Sequence, residues 1–308
     1  MMKYLIVLFF LFGKVTECFT QGFPANIHRI VFLGNSITYA GTYINYLETY
    51  FIANYPNQQI EFINVGLPSE TVSGLSEEGH ADGKFPRPVL YERLERVLKL
   101  IKPDIVFACY GMNDGIYKTF DENRFLLFKD GINWLHNTVI KFGAEIIHIT
   151  PPVYDEDLGK KVGYAEVLDR YSDWLIEQHK MQKWQVIDCH YPMKLFLEGH
   201  RKIDKEFNLN GFYLASDGVH PGELGHWIIT RSILTYLGEI KASQASGIMA
   251  TIGSKKLLDL VVERQVIMKD AWLTVCGHKR PGMKIGLSLE DAKLITADIT
   301  SKIDEFRK

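Results

Sequence analysis

The stretch Ile105-Val106-Phe107-Ala108-Cys109-Tyr110-Gly111-Met112-Asn113-Asp114-Gly115 decides how this chain folds. Its first six residues are apolar without alternation. A strand with one wet face would alternate, so this run reads as a strand covered on both faces, as in a parallel sheet between helical layers. Pro103 stops a helical pattern just before it, and Gly111 ends it. The same grammar holds outward in both directions. Residues 30–33 form an apolar run closed by Gly34, residues 60–65 alternate up to Gly66, residues 145–150 run into Pro151-Pro152, and residues 184–188 make a fifth short run. Residues 43–55, 90–101, 125–142, 162–182 and 223–237 carry apolar positions at helical spacing. Five strands separated by helices predict an α/β fold, a three-layer α/β/α sandwich around a five-stranded parallel sheet. Right-handed crossovers place all strand C-termini along one edge, and ligands bind outside that edge. Ser36, Gly66 and Asn113 all fall there.

Composition sets the frame. With 308 residues, 46% of them hydrophobic, the chain has material for one large core and an extension. A formal net charge of −2 gives no basic excess for nucleic acid. Residues 4–12 are nearly all apolar after Lys3, a run too short for an ordinary spanning helix and of the length of a signal-peptide core. The expected organisation is a signal peptide over 1–22, a main domain over 23–242 and a C-terminal helical extension over 243–308, with helices at 256–272 and 289–306. The protein is then exported, periplasmic or extracellular, and keeps no stable membrane span after cleavage. Cys109, Cys189 and Cys276 are too few for a disulfide framework and read as buried thiols.

Four short blocks carry chemistry. Gly34-Asn35-Ser36-Ile37-Thr38 follows the first strand. A serine at a strand-to-helix turn presents its hydroxyl at the ligand edge, with N–H groups facing an incoming oxyanion, though serine is also a common N-cap. Thr38 stands where a G-x-S-x-G elbow has its second glycine. Asn64-Val65-Gly66 offers a glycine N–H or a plain turn. In Gly111-Met112-Asn113-Asp114, Asn113 has an amide for an oxyanion, or an Asx turn. Asp217-Gly218-Val219-His220-Pro221 supplies a base and a carboxylate from one short loop. Serine is a poor nucleophile until a base takes its proton, and a carboxylate on the other ring nitrogen fixes the histidine tautomer.

Taken together and in this order, the four blocks resemble the SGNH hydrolases, also called GDSL-type esterases and lipases. The resemblance covers roughly residues 28–238. It implies the three-layer, flavodoxin-like fold and hydrolysis of acyl esters with no metal and no cofactor. Carried over residue by residue, Ser36 is the nucleophile, His220 the base and Asp217 its orienter. Ser36 N–H, Gly66 N–H and the Asn113 side chain form the oxyanion hole. The family usually has aspartate before the serine; this chain has Asn35. The stretch Gly277-His278-Lys279-Arg280-Pro281-Gly282 is similar to an extension in some bacterial members and is assigned no chemistry.

Asn35, Tyr110 and Tyr117 are the candidate substrate contacts, the tyrosines as sugar-stacking faces, although burial suits Tyr110 as well. Residues 67–85 form a polar loop that would shape the pocket, with Pro151, Pro152 and Tyr154 on the same edge. His80 with Asp82, and Cys189 with His190, lack a complete zinc spacing. The expected substrate is a small-molecule or carbohydrate-linked acyl ester, with short acyl groups preferred by family analogy. The competing readings are a non-catalytic carbohydrate-binding module and a lipase; no long amphipathic lid supports the latter.

Overall fold

The structure is a computed structural model and describes residues 22–307, apart from 210, 246, 248, 251 and 252. The expected signal peptide lies outside the described residues. Five strands, β1 (Arg29–Gly34), β2 (Glu61–Asn64), β3 (Ile105–Cys109), β4 (Glu145–Ile149) and β5 (Gln185–Ile187), form one sheet in the order β2-β1-β3-β4-β5. All pairs are parallel, with Val106 of β3 opposite Val31 on one side and Ile146 on the other. Every residue of β3 is buried, as its unbroken apolar run requires.

The helices that follow β1 are α1 (Ser36–Ala40) and α2 (Thr42–Asn54), and α3 (Leu94–Ile101) precedes β3. Beyond β3 come α4 (Glu122–Lys141), α5 (Glu156–Gly159), α6 (Tyr164–Gln182), α7 (His190–Phe207), α8 (Glu223–Tyr236) and α9 (Ile240–Ser243). One helical layer holds α2 against α8, where Tyr43 stacks on His226 with ring centroids 6.0 Å apart. The other holds α4 against α6, where Phe128 stacks on Tyr171 at 4.1 Å. The sheet is the middle of the sandwich. Helix α7 is the longest of the helices that periodicity did not predict; α1, α5 and α9 are short turns of four or five residues. Pro192 sits in the first turn of α7, where a missing N–H costs nothing, and reads as a breaker only when the helix start is unknown.

The C-terminal residues form α10 (Lys255–Cys276), α11 (Leu289–Ile295) and α12 (Ala297–Asp304); the single helix expected over 289–306 is divided at Thr296. Helix α10 covers the edge of the sheet. Gln265 donates to the carbonyl of Phe62 in β2 at 2.8 Å and to Glu48 of α2 at 2.6 Å, and Arg264 pairs with Glu48 at 2.7 Å. Trp272, Leu273 and Cys276 join the main core, while Leu257 and Val261 pack with Ile52, Ile299 and Ile303. Cys109, Cys189 and Cys276 are all buried free thiols, as expected. Among the described residues no helix is long and apolar enough to cross a membrane.

Candidate active site

Three strand ends and one late loop meet at the C-terminal edge of the sheet. Ser36 is the first residue of α1, and Asn35 caps that helix by accepting from Ile37 N–H at 3.1 Å. A Cβ on Gly34 would lie 2.2 Å from Thr38 Oγ1 and 2.8 Å from the carbonyl of Cys109, so the turn closes only with glycine there. Gly66 is held as tightly: its Cβ would lie 2.4 Å from Tyr39 N. The loop after β2 therefore rests on the backbone of the serine helix. Asn64 latches the two, donating to Thr38 O at 2.7 Å and accepting Gly66 N–H at 2.9 Å.

Ser36 Oγ lies 2.8 Å from His220 Nε2. His220 Nδ1 lies 2.6 Å from Asp217 Oδ2, and Asp217 Oδ1 accepts the N–H groups of Val219 and His220 at 2.9 and 2.8 Å. With the ring proton on Nδ1, facing the carboxylate, Nε2 is left to accept from the serine hydroxyl. Partial burial raises the Asp217 carboxyl, but the His220 ring and the two backbone N–H groups outweigh it and hold it below the usual range. Gly218 adopts a left-handed φ of 79° and fits against Gly159, and Asp155 N–H donates to its carbonyl at 2.9 Å. The base loop is thus tied to α5.

Asn113 is buried in the turn after β3. Its Oδ1 accepts from the Tyr117 hydroxyl at 3.1 Å and its Nδ2 donates to the carbonyl of Glu70 at 3.2 Å. An amide has two N–H donors, so one remains after the Glu70 bond. Asp114, fully buried, accepts from Gly111 N at 2.9 Å and from Val72 N and Ser73 N at 2.8 Å each. Burial raises its carboxyl, and those backbone bonds oppose the shift. Asp114 thus staples the 67–85 loop to the β3 turn, a role sequence reading missed because it weighed only Asn113 in this block. Glu70 was missed as well. Its carboxylate holds Arg93 at 2.6 and 2.7 Å and accepts from Tyr110 at 2.7 Å, all in the interior.

Two candidate contacts need correction. Tyr110 is 1% exposed and spends its hydroxyl on Glu70, so it presents no stacking face. Asn35 is 2% exposed and acts as the α1 cap. Tyr117 stays at the site, partly exposed, its ring stacked 4.8 Å from Tyr164 with the Arg87 guanidinium 5.4 Å from its centroid. His80 faces Glu77 at 3.6 Å, and His190 lies between Asp169 and the carbonyl of Pro151, at 2.8 and 2.9 Å. His226, on α8, is pushed down to about 4 by burial and secondarily by His220.

A doubly wound parallel sheet with serine, histidine and aspartate converging at its C-terminal edge defines the class of SGNH-type hydrolases. The sequence matches the model of the GDSL-like Lipase/Acylhydrolase family over residues 32–228, well over half of the chain, within the 28–238 expected. The chain belongs to that family and is a carboxylic ester hydrolase. No curated protein matches it. Solved structures share the fold. The acetylxylan esterase Axe2 from Geobacillus stearothermophilus is 21% identical with a TM-score of 0.53, over 72% of this chain and 96% of that one. An alpha/beta hydrolase from the metagenome of Lake Arreo, Spain, is 20% identical with a TM-score of 0.52, over 70% and 97%. A gut microbial diltiazem-metabolizing enzyme is 22% identical with a TM-score of 0.50, over 71% of this chain and 48% of its own length, so this chain spans about half of it.

Proposed function

We propose that this protein is an exported serine esterase that removes short acyl groups, acetyl above all, from carbohydrate-linked esters. The observation that carries the reading is the continuous line from Ser36 Oγ to His220 at 2.8 Å and from His220 to Asp217 at 2.6 Å. His220 takes the Ser36 proton as Oγ attacks the ester carbonyl. The carbonyl oxygen gains its charge where the free N–H of Asn113, the Ser36 N–H and the Gly66 N–H converge. For Gly66 this requires its N–H to be shared with Asn64, its present acceptor. The tetrahedral adduct collapses, the C–O bond to the alcohol breaks, and the alcohol leaves with the proton from His220. Water then attacks the acyl-serine by the same base, releasing the acid and restoring Ser36.

Export is proposed from the apolar run at residues 4–12, and the acetyl preference from the family together with the acetylxylan esterase among the structural relatives. A fluorophosphonate probe tests the nucleophile. It should label the wild type and not Ser36→Ala; a folded wild type that stays unlabelled supports a binding module instead. A panel of nitrophenyl esters followed by acetylated glycans tests the substrate. Hydrolysis confined to long chains would overturn the acetyl preference.

A further inference from the structure

Every polar group of Glu70 is engaged, and its bonds belong to a chain that runs from the serine turn to Asn113. Leu67 N–H donates to the carbonyl of Gly34 at 2.9 Å, two residues before Ser36. Glu70 N–H donates to the carbonyl of Leu67 at 3.2 Å, and the carbonyl of Glu70 accepts from Asn113 Nδ2 at 3.2 Å. Thr71 N–H, the other end of that peptide, donates to the carbonyl of Pro88 at 3.0 Å, so the peptide plane is fixed from both sides. Within this turn Ser69 stands at a φ of 68°. Residues other than glycine are strained there, and such a conformation persists only where its surroundings hold it.

The carboxylate of Glu70 does the holding. Glu70 and Arg93 are 0% and 1% exposed, and the guanidinium grips both carboxylate oxygens, Nε at 2.6 Å and Nη2 at 2.7 Å. Tyr110 donates to the same carboxylate at 2.7 Å. Arg93 is anchored in turn at the start of α3, whose Leu94, Val97, Leu98 and Ile101 are buried and whose Arg96 donates to the carbonyl of Cys276 at 2.9 Å. A buried ion pair is a poor source of stability, because desolvating two charges offsets much of their attraction. Its two-pronged geometry fixes direction instead. The direction fixed here is that of the turn joining Gly66 to the acceptor of Asn113.

We propose that the Glu70–Arg93 pair positions the oxyanion hole: it holds the strained 67–70 turn in place, and with it the Gly66 N–H and the Asn113 amide. Arg93 meets no reacting atom; it acts through Glu70 as a positioning residue. The inference rests on the esterase reading, and the test separates the two. The full-length protein is assayed on nitrophenyl acetate and on the thionoacetate, in which sulfur replaces the carbonyl oxygen. Donors aimed at an oxyanion favour the oxygen ester, because sulfur is larger and accepts more weakly. Rates are expressed per serine labelled by a fluorophosphonate, so unfolded protein does not count. Arg93→Lys, which keeps the charge but not the fork, should lower kcat on the oxygen ester ~10–10²-fold with KM nearly unchanged, and should lower the oxygen-to-sulfur rate ratio. Tyr110→Phe removes one hydroxyl and leaves the pair in the core, and should shift the ratio the same way by less. In an Asn113→Ala background both changes should move the ratio less than in wild type. If Arg93→Lys fails to fold, Tyr110→Phe decides alone. A ratio equal to wild type in the folded variants makes the pair an element of the fold only and leaves the esterase standing. Hydrolysis of neither ester by wild type overturns the esterase reading and this one together.

Discussion

Asn113 shows how a side chain is aimed before substrate arrives. Tyr117 holds its oxygen and the Glu70 carbonyl holds one N–H, so the amide cannot rotate and its second N–H is committed in direction. Fixed donors cost no reorganisation during reaction, and losing one typically removes ~2.7–4 kcal/mol of transition-state stabilisation. Asn113→Ala is therefore expected to lower kcat ~10²–10³-fold with a small change in KM, read from steady-state kinetics on a nitrophenyl ester. Tyr117→Phe should lose less, because it frees the amide without removing it; unchanged kcat in both variants would remove Asn113 from the oxyanion hole. The residues that sequence reading chose for chemistry, Ser36, Gly66, Asn113, Asp217 and His220, share one property. Each follows a strand end or sits in a late loop, where breaks in the local pattern mark it. Tyr110 went astray for a different reason: its partner Glu70 lies 40 positions away in the chain, and no local pattern carries that information. Asn35 was misread within its own turn, where its side chain caps α1 through the N–H of Ile37.

At the scale of elements, the close approach of the β2 loop to α1 governs the site. Gly66→Ala would put a methyl group 2.4 Å from Tyr39 N, against backbone that cannot swing aside. The loop must lift off the serine helix. We expect a stability loss of ~1–3 kcal/mol from overpacking, measured by urea unfolding, together with a fall in kcat because the Gly66 N–H leaves its place. Stability and kcat both equal to wild type would show that the loop tolerates the shift. The strands and most helices were legible because short unbroken apolar runs closed by glycine or proline differ from apolar positions at helical spacing. Helix α7 was not, since Pro192 and Gly199 interrupt its pattern and its apolar face is thin: only His190, Met193 and Leu197 are buried. The division of the last helix at Thr296 was equally hidden, because Thr296 turns its hydroxyl onto the Ala292 carbonyl at 2.8 Å with no glycine or proline to announce a break.

For the whole molecule, two buried imidazoles, His148 and His226, and the half-buried His136 set the acid limit. Burial pushes His148 down to about 3, with His136 adding to it, and pushes His136 and His226 down to about 4. In the unfolded chain each takes up a proton near the ordinary value of ~6.5. Between those values the unfolded state binds more protons than the folded one, so stability falls as pH drops from ~6.5 towards 4. The melting temperature should decline over that window, and His148→Gln should flatten the decline. A melting temperature constant from pH 7 to 4 would show that these rings are protonated in the fold.

The cover that α10 lays over β2 also has a consequence for the order in which the protein is made. Domains emerge from synthesis N-terminal part first. The sheet, the serine turn and the base loop are all complete in the nascent chain by residue 236, but the edge of β2 and Glu48 still await Gln265 and Arg264. Until residues 255–276 have folded against it, that strand edge is unprotected, the situation in which strands add to strangers. Docking of α10, rather than closure of the sheet, is then the step at which this enzyme becomes safe from its own edge.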